Sequence, residues 1–238
     1  MEPTTGILYG ISVGTGDPDL ITVKGLRLLQ RASVVAFPLG VGNQPGLAEQ
    51  IIAPWLSSQQ EKLPLVFPYV RDQQQLEQAW QVAAQQVWHH LSQGKNVAFA
   101  CEGDVSFYST FTYLAQTLTH LYPQVRIETV PGVCSPMAVA SVLQLPLTVR
   151  EQRLAILPAL YHLTALEEAL TWADVVVLMK VSSVYPQVWS MLQRLNLLDH
   201  AWVVERATQP EQVIYDNLSD RPHLDLSYFS LLIVQKRQ

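Results

Sequence analysis

Nine short runs rich in β-branched and aromatic residues recur along the chain, at 7–13, 33–37, 63–67, 96–101, 125–130, 153–157, 174–180, 201–205 and 228–235, and helical patterns separate them. Strands that alternate with helices must be joined by crossovers, so the pattern predicts an α/β fold with mainly parallel or mixed sheets. The clearest helix follows Asp72, where Leu76, Ala79, Trp80, Ala83, Ala84, Val87 and Leu91 recur at three- and four-residue steps on one face. Asp72 with Gln75 resembles a capping box, and Gly94 is a suitable stop. Further helices are expected over 20–30, over 106–121 and from near Pro136.

A chain of 238 residues can hold one large α/β domain or two of average size. Tyr122-Pro123 interrupts the helix expected over 106–121, because proline cannot continue a helix. The expectation is therefore two α/β domains, 1–121 and 122–238, the second opening with the strand at 125–130 and completed by the strand at 228–235.

Composition narrows the function. Hydrophobic residues make up 49% and charged residues only 15%, against roughly 25% charged in an average domain. The excess of apolar surface predicts at least a homodimer. The net charge is −5 with no Lys/Arg cluster, which argues against nucleic acid and for a small-molecule substrate. No apolar run approaches the roughly 18 residues of a membrane-spanning helix. Met1-Glu2-Pro3-Thr4-Thr5 lacks the cationic and apolar segments of a secretion signal, so a cytoplasmic location is expected. Cys101 and Cys134, far apart in sequence, read as free thiols, and the scattered histidines do not have ligand spacing, so no metal is expected.

Three glycine-bearing turns follow three expected strands. In parallel sheets ligands bind beyond the carboxyl ends of strands, so all three point to one cleft. The first, Gly10-Ile11-Ser12-Val13-Gly14-Thr15-Gly16-Asp17-Pro18, lacks the G-x-G-x-x-G spacing and the later acidic residue of a dinucleotide site. It also lacks the Gly-Lys-Ser/Thr of a phosphate loop. Asp17 or Asp19 is available to cap the helix that follows. The second, Glu102-Gly103-Asp104-Val105-Ser106-Phe107-Tyr108-Ser109, places two carboxylates around a glycine at a helix start. The third is Val130-Pro131-Gly132-Val133-Cys134-Ser135-Pro136. Each turn by itself reads as a capped strand-to-helix connection or as a ligand loop.

Taken in order, these turns, with Val177-Leu178-Met179-Lys180, Val203-Val204-Glu205-Arg206-Ala207 and Tyr228-Phe229-Ser230-Leu231-Leu232, resemble the tetrapyrrole methylases. Within that family, Tyr108-Ser109-Thr110-Phe111 and Tyr228-Phe229-Ser230-Leu231-Leu232 most resemble the branch that methylates C20 of precorrin-2 or cobalt-factor II in cobalamin biosynthesis. The resemblance implies two α/β domains with S-adenosylmethionine in the cleft between them, generally as a homodimer. By resemblance the cofactor is held at Glu102, Gly103, Asp104, Phe107, Cys134, Ser135, Met179 and Ala207. Thr15 and Val105 stand where the family commonly has proline, so the first two loops depart from its pattern.

Methyl transfer from an activated sulfonium needs alignment more than a protein nucleophile, and no catalytic residue is singled out. Glu102, Asp104 and Asp17 are candidate proton acceptors. Thr15, Asp17, Tyr108, Lys180 and Arg206 are expected to meet the substrate, with Lys24 and Arg27 as further cations near the cleft. A methylase for another corrin position or for uroporphyrinogen III is the alternative within the family. A nucleotide-binding oxidoreductase is the alternative outside it.

Overall fold

The computed structural model describes residues 5–40, 42, 44–68, 70, 72–159 and 162–236; of the segment Met1–Thr5, only Thr5 is among them. The chain divides into two compact units, Met1–Cys134 and Ser135–Gln238.

The first unit is built from β1 (Ile7–Ser12), α1 (Val23–Arg31), β2 (Val34–Pro38), α2 (Leu47–Ile52), β3 (Glu61–Leu65), α3 (Gln73–Leu91), β4 (Val97–Cys101), α4 (Thr110–Leu121) and β5 (Arg126–Val130). Its sheet has the order β3-β2-β4-β1-β5, and every pairing is parallel. The central strands bury both faces. In β4, Val97 and Phe99 join one core with Ala83, Ala84 and Val87 of α3 and Phe111, Leu114 and Leu118 of α4. Ala98 and Ala100 face the opposite core with Leu29 of α1 and Ile51 and Ile52 of α2. Alternate residues thus serve opposite faces, and the strand reads in sequence as a continuous apolar run. Asp72 caps α3 by accepting from Gln75 N at 2.9 Å. Gly94, at φ 77°, follows its end.

The second unit contains α5 (Ser135–Val142), β6 (Leu154–Leu157), α6 (Thr164–Trp172), β7 (Val175–Met179), α7 (Tyr185–Arg194), β8 (Ala201–Glu205), β9 (Val213–Tyr215) and β10 (Ser230–Gln235). Its sheet order is β6-β7-β10-β8-β9, parallel only between β6 and β7. The last strand is therefore central. In β7 beside it, Val175, Val176, Val177 and Leu178 are wholly buried. Among the described residues no helix is long and apolar enough to cross a membrane.

Several expectations shift. The strand at 125–130 does not open the second unit: β5 pairs in register with β1, Ile7 beside Arg126 and Ile11 beside Val130, so the division falls after Cys134 instead of after residue 121. Proline at 123 ends α4 but leaves the chain in the same sheet. The helix expected over 106–121 starts only at Thr110, because Tyr108 has φ 51° and Ser109 caps by accepting from Phe111 N at 3.0 Å. The helix expected from residue 20 starts at Val23, with Thr22 as cap. Asp17 caps only the short 3-10 turn Pro18–Leu20. β3 lies two residues earlier than expected, since Pro64 is tolerated in an edge strand.

Candidate functional site

At the carboxyl end of the first sheet the loops after β1, β4 and β5 are tied together. Helices α1 and α2 pack on one face of that sheet and α3 and α4 on the other. The loops after β1 and β4 therefore leave toward opposite faces, the arrangement that opens a ligand crevice in α/β sheets. Here the crevice floor is laced by backbone. Val13 N donates to Cys101 O at 2.9 Å, Gly103 N to Gly14 O at 2.6 Å and Gly14 N to Gly103 O at 3.3 Å. Both glycines are in the left-handed region, at φ 81° and 68°, which lets two loops exchange this pair of bonds.

Asp104 ties in the third loop. Its Oδ1 accepts from Ser106 N at 2.8 Å and from Ser106 Oγ at 2.5 Å, and its Oδ2 accepts from Gly132 N at 2.7 Å. Ser12, fully buried at the end of β1, donates Oγ–H to Val130 O at 2.7 Å and accepts from Val105 N at 3.0 Å. Ser12 Oγ also lies 3.4 Å from Asp104 Oδ2. Burial works to raise the Asp104 carboxyl, but the bonds from Ser106 and Gly132 outweigh it and hold the group below its ordinary value of 3.8. The carboxylate is thus ionised and occupied by its own loops, which makes it a strut and a poor proton acceptor. Glu102, by contrast, is exposed.

Among the expected cofactor residues, Gly103 lies against Cys134: a Cβ at Gly103 would meet only Cys134 Cα, at 3.9 Å. Phe107 donates its backbone N–H to Asp104 O at 3.1 Å, and its ring meets that of Tyr108 edge-on at 4.8 Å. Thr15 is buried directly after Gly14, and Asp17 is exposed, accepting from Asp19 N at 2.9 Å. These residues gather around one loop cluster. Ser135 is the first residue of α5. Met179 and Lys180 end β7, and Arg206 and buried Ala207 follow β8, all at one end of the second sheet. Tyr108, Lys180 and Arg206 have φ of 51°, 53° and 49°. Non-glycine residues in the left-handed region carry strain and concentrate at functional sites.

Cys101 does not qualify as a nucleophile. Burial pushes its thiol up to about 12, with Sγ 2.8 Å from Ser109 Oγ. Among the described residues of this cluster no activated nucleophile is found, and the arrangement suits binding and alignment.

Sequence reasoning missed Ser12. The signal was a lone polar residue closing an apolar strand, which is inexpensive to bury only when its hydrogen bonds are made.

Comparison with known proteins agrees with this geometry. Residues 7–221 match the family model for Tetrapyrrole (Corrin/Porphyrin) Methylases. The cobalt-precorrin-2 C(20)-methyltransferase of Salmonella typhimurium is 33% identical over 236 residues, covering 98% of this chain and 97% of that protein. The precorrin-2 C(20)-methyltransferase of a Sinorhizobium species is 29% identical, covering 96% and 95%. Among solved structures, the cobalt precorrin-4 methyltransferase CbiF superposes with a TM-score of 0.72 at 24% identity, over 96% of this chain and 94% of that one. A uroporphyrin-III C-methyl transferase from Thermus thermophilus, complexed with S-adenosyl homocysteine, has a TM-score of 0.66 at 21% identity, over 97% of each chain. The chain belongs to the tetrapyrrole methylase family.

Proposed function

We propose that this methyltransferase transfers a methyl group from S-adenosylmethionine to C20 of precorrin-2 or its cobalt form, in cobalamin biosynthesis. The observation that carries the reading is the 33% identity with the Salmonella typhimurium cobalt-precorrin-2 C(20)-methyltransferase over nearly the whole of both chains. In sequence, the cobalt-precorrin-4 C(11)-methyltransferase of Priestia megaterium is 31% identical over only 60% of the chain. The first loop lacks a dinucleotide fingerprint, so a nucleotide-binding oxidoreductase is not favoured.

The loop cluster fits the cofactor in kind. Gly103 stands in open space, since a Cβ there would meet only Cys134 Cα at 3.9 Å, and Glu102 is an exposed carboxylate of the kind that accepts from hydroxyls or an ammonium. Glu102, Gly103, Phe107, Cys134, Ser135, Met179 and Ala207 are the residues proposed to hold it. Asp104 acts through the loops it ties instead of touching the ligand. The bound cofactor supplies an electrophilic methyl, and the chain supplies orientation and exclusion of water, which is the larger part of what such a transfer needs. Of the carboxylates named as proton acceptors, Glu102 and Asp17 are exposed, Asp17 accepting from Asp19 N, and Asp104 is buried and accepts from Ser106 and Gly132. The low charged fraction supports a homodimer, and the similarity to biosynthetic enzymes supports a cytoplasmic place.

The test is incubation with precorrin-2 or its cobalt form and S-adenosylmethionine, read by mass spectrometry. One added methyl, located at C20 by NMR, is expected. Methylation of uroporphyrinogen III with none of precorrin-2 in either form would overturn the C20 assignment.

A further inference from the structure

Because β10 runs antiparallel to both β7 and β8, the turn before β10 lies at the same sheet end as Lys180 and Arg206. Lys180 Nζ stands 5.0 Å from the centroid of the Tyr228 ring. Tyr228 is 46% exposed and Lys180 is half-buried, so the ring is open to solvent instead of being packed into the core. Phe229 meets Tyr228 edge-on at 5.4 Å.

The turn is anchored from beneath. Glu205 is only 7% exposed. Its Oε1 accepts from Ser227 N at 2.6 Å and its Oε2 from Tyr215 Oη–H at 3.1 Å. Arg206 N donates to Phe229 O at 2.8 Å. The hydroxyls of Ser227 in this turn and of Ser230 at the start of β10 are buried without a hydrogen-bond partner among the described residues. Native structures keep few such groups, and packing alone does not explain two within four residues.

We propose that Lys180, held over Tyr228, receives a carboxylate of the tetrapyrrole substrate, and that Glu205 is the positioning residue fixing the turn that carries Tyr228. The inference rests on the methylase reading above and adds the group that meets the substrate's acidic periphery. A lysine ammonium on a flexible stem loses rotamer freedom when fixed. The ring face attracts the ammonium and the left-handed backbone at Lys180 sets its direction, so part of that ordering precedes binding. The ammonium then gives a charge-assisted hydrogen bond to the carboxylate.

Uroporphyrin III, an inert polycarboxylate tetrapyrrole, serves as the binding probe, alongside turnover of precorrin-2 and calorimetry with S-adenosylhomocysteine. Lys180→Gln is expected to weaken uroporphyrin III binding about tenfold and to raise KM for precorrin-2 similarly, with S-adenosylhomocysteine affinity unchanged. Tyr228→Phe keeps the ring and should leave the probe affinity within about twofold, whereas Tyr228→Leu and Glu205→Gln should each weaken it about threefold. Arg153→Gln removes a charge of the same sign before β6, at the opposite end of the sheet, and controls for bulk electrostatics. Probe affinity in Lys180→Gln equal to wild type or to Arg153→Gln overturns the proposal, as does a wild-type chain that does not bind the probe. Failure of the wild type to bind S-adenosylhomocysteine instead defeats the methylase reading itself.

Discussion

A buried carboxylate that already accepts from Ser106 and Gly132 cannot be exchanged for its amide without cost. Asn at position 104 would keep an acceptor toward Ser106 but turn an NH2 group toward Gly132 N–H, a donor facing a donor. Asp104→Asn is therefore expected to lower unfolding free energy by about 1–3 kcal/mol at pH 7, measured by urea titration. The pH dependence has a definite sign. The folded carboxyl lies below its ordinary value of 3.8, so its contribution is complete above that pH and is lost as pH falls through the lower folded value. The gap between wild type and Asp104→Asn should be constant from pH 7 to about 5 and shrink below about 4. A gap that widens on acidification would show that the carboxyl is raised instead. The sequence marked Asp104 as special but assigned it to the ligand. Only the geometry reveals that its partners are Ser106 and Gly132, the latter from a loop 28 residues away.

At the scale of elements, the glycines of the three loops differ in what they prevent. A Cβ on Gly103 meets nothing nearer than Cys134 Cα at 3.9 Å, so Gly103→Ala suffers only from φ 68°, a cost of about 1–2 kcal/mol. A Cβ on Gly132 would stand 2.4 Å from Ser12 Cβ, a short side chain on a central strand that cannot swing away. Gly132→Ala must push the β5 loop off β1 and stretch the Gly132 N–H bond to Asp104, so overpacking of about 1–3 kcal/mol adds to a lost charged hydrogen bond. Urea midpoints should rank wild type, Gly103→Ala, Gly132→Ala in falling order, and the reverse order of the variants would refute the strut reading. The strands β1, β2, β4, β7 and β8 were legible because they are largely buried apolar runs. β9 was not, since three residues with exposed Val213 and Ile214 carry little pattern. The start of α4 was misjudged because Phe107 continues the apolar spacing while Tyr108 adopts a left-handed backbone that spacing cannot reveal.

For the whole molecule the division after Cys134 falls inside the run of residues expected to hold the cofactor. Glu102, Gly103, Asp104, Phe107 and Cys134 precede it, while Ser135, Met179 and Ala207 follow it. Pattern reading put the boundary at 121–122 because Pro123 ends a helix, but register across β1 and β5 is a long-range property that no local signal carries. Each unit has its own buried core, so each has the means to unfold as its own transition. S-adenosylhomocysteine at about 100 times its Kd adds about 2.7 kcal/mol to the unit that binds it, a rise of roughly 5–20 °C for domains of this size range. Scanning calorimetry of the full chain should accordingly move upward the transition of the unit that carries Glu102, Gly103, Phe107 and Cys134. An endotherm that stays at its ligand-free temperature refutes the cofactor roles proposed for those residues.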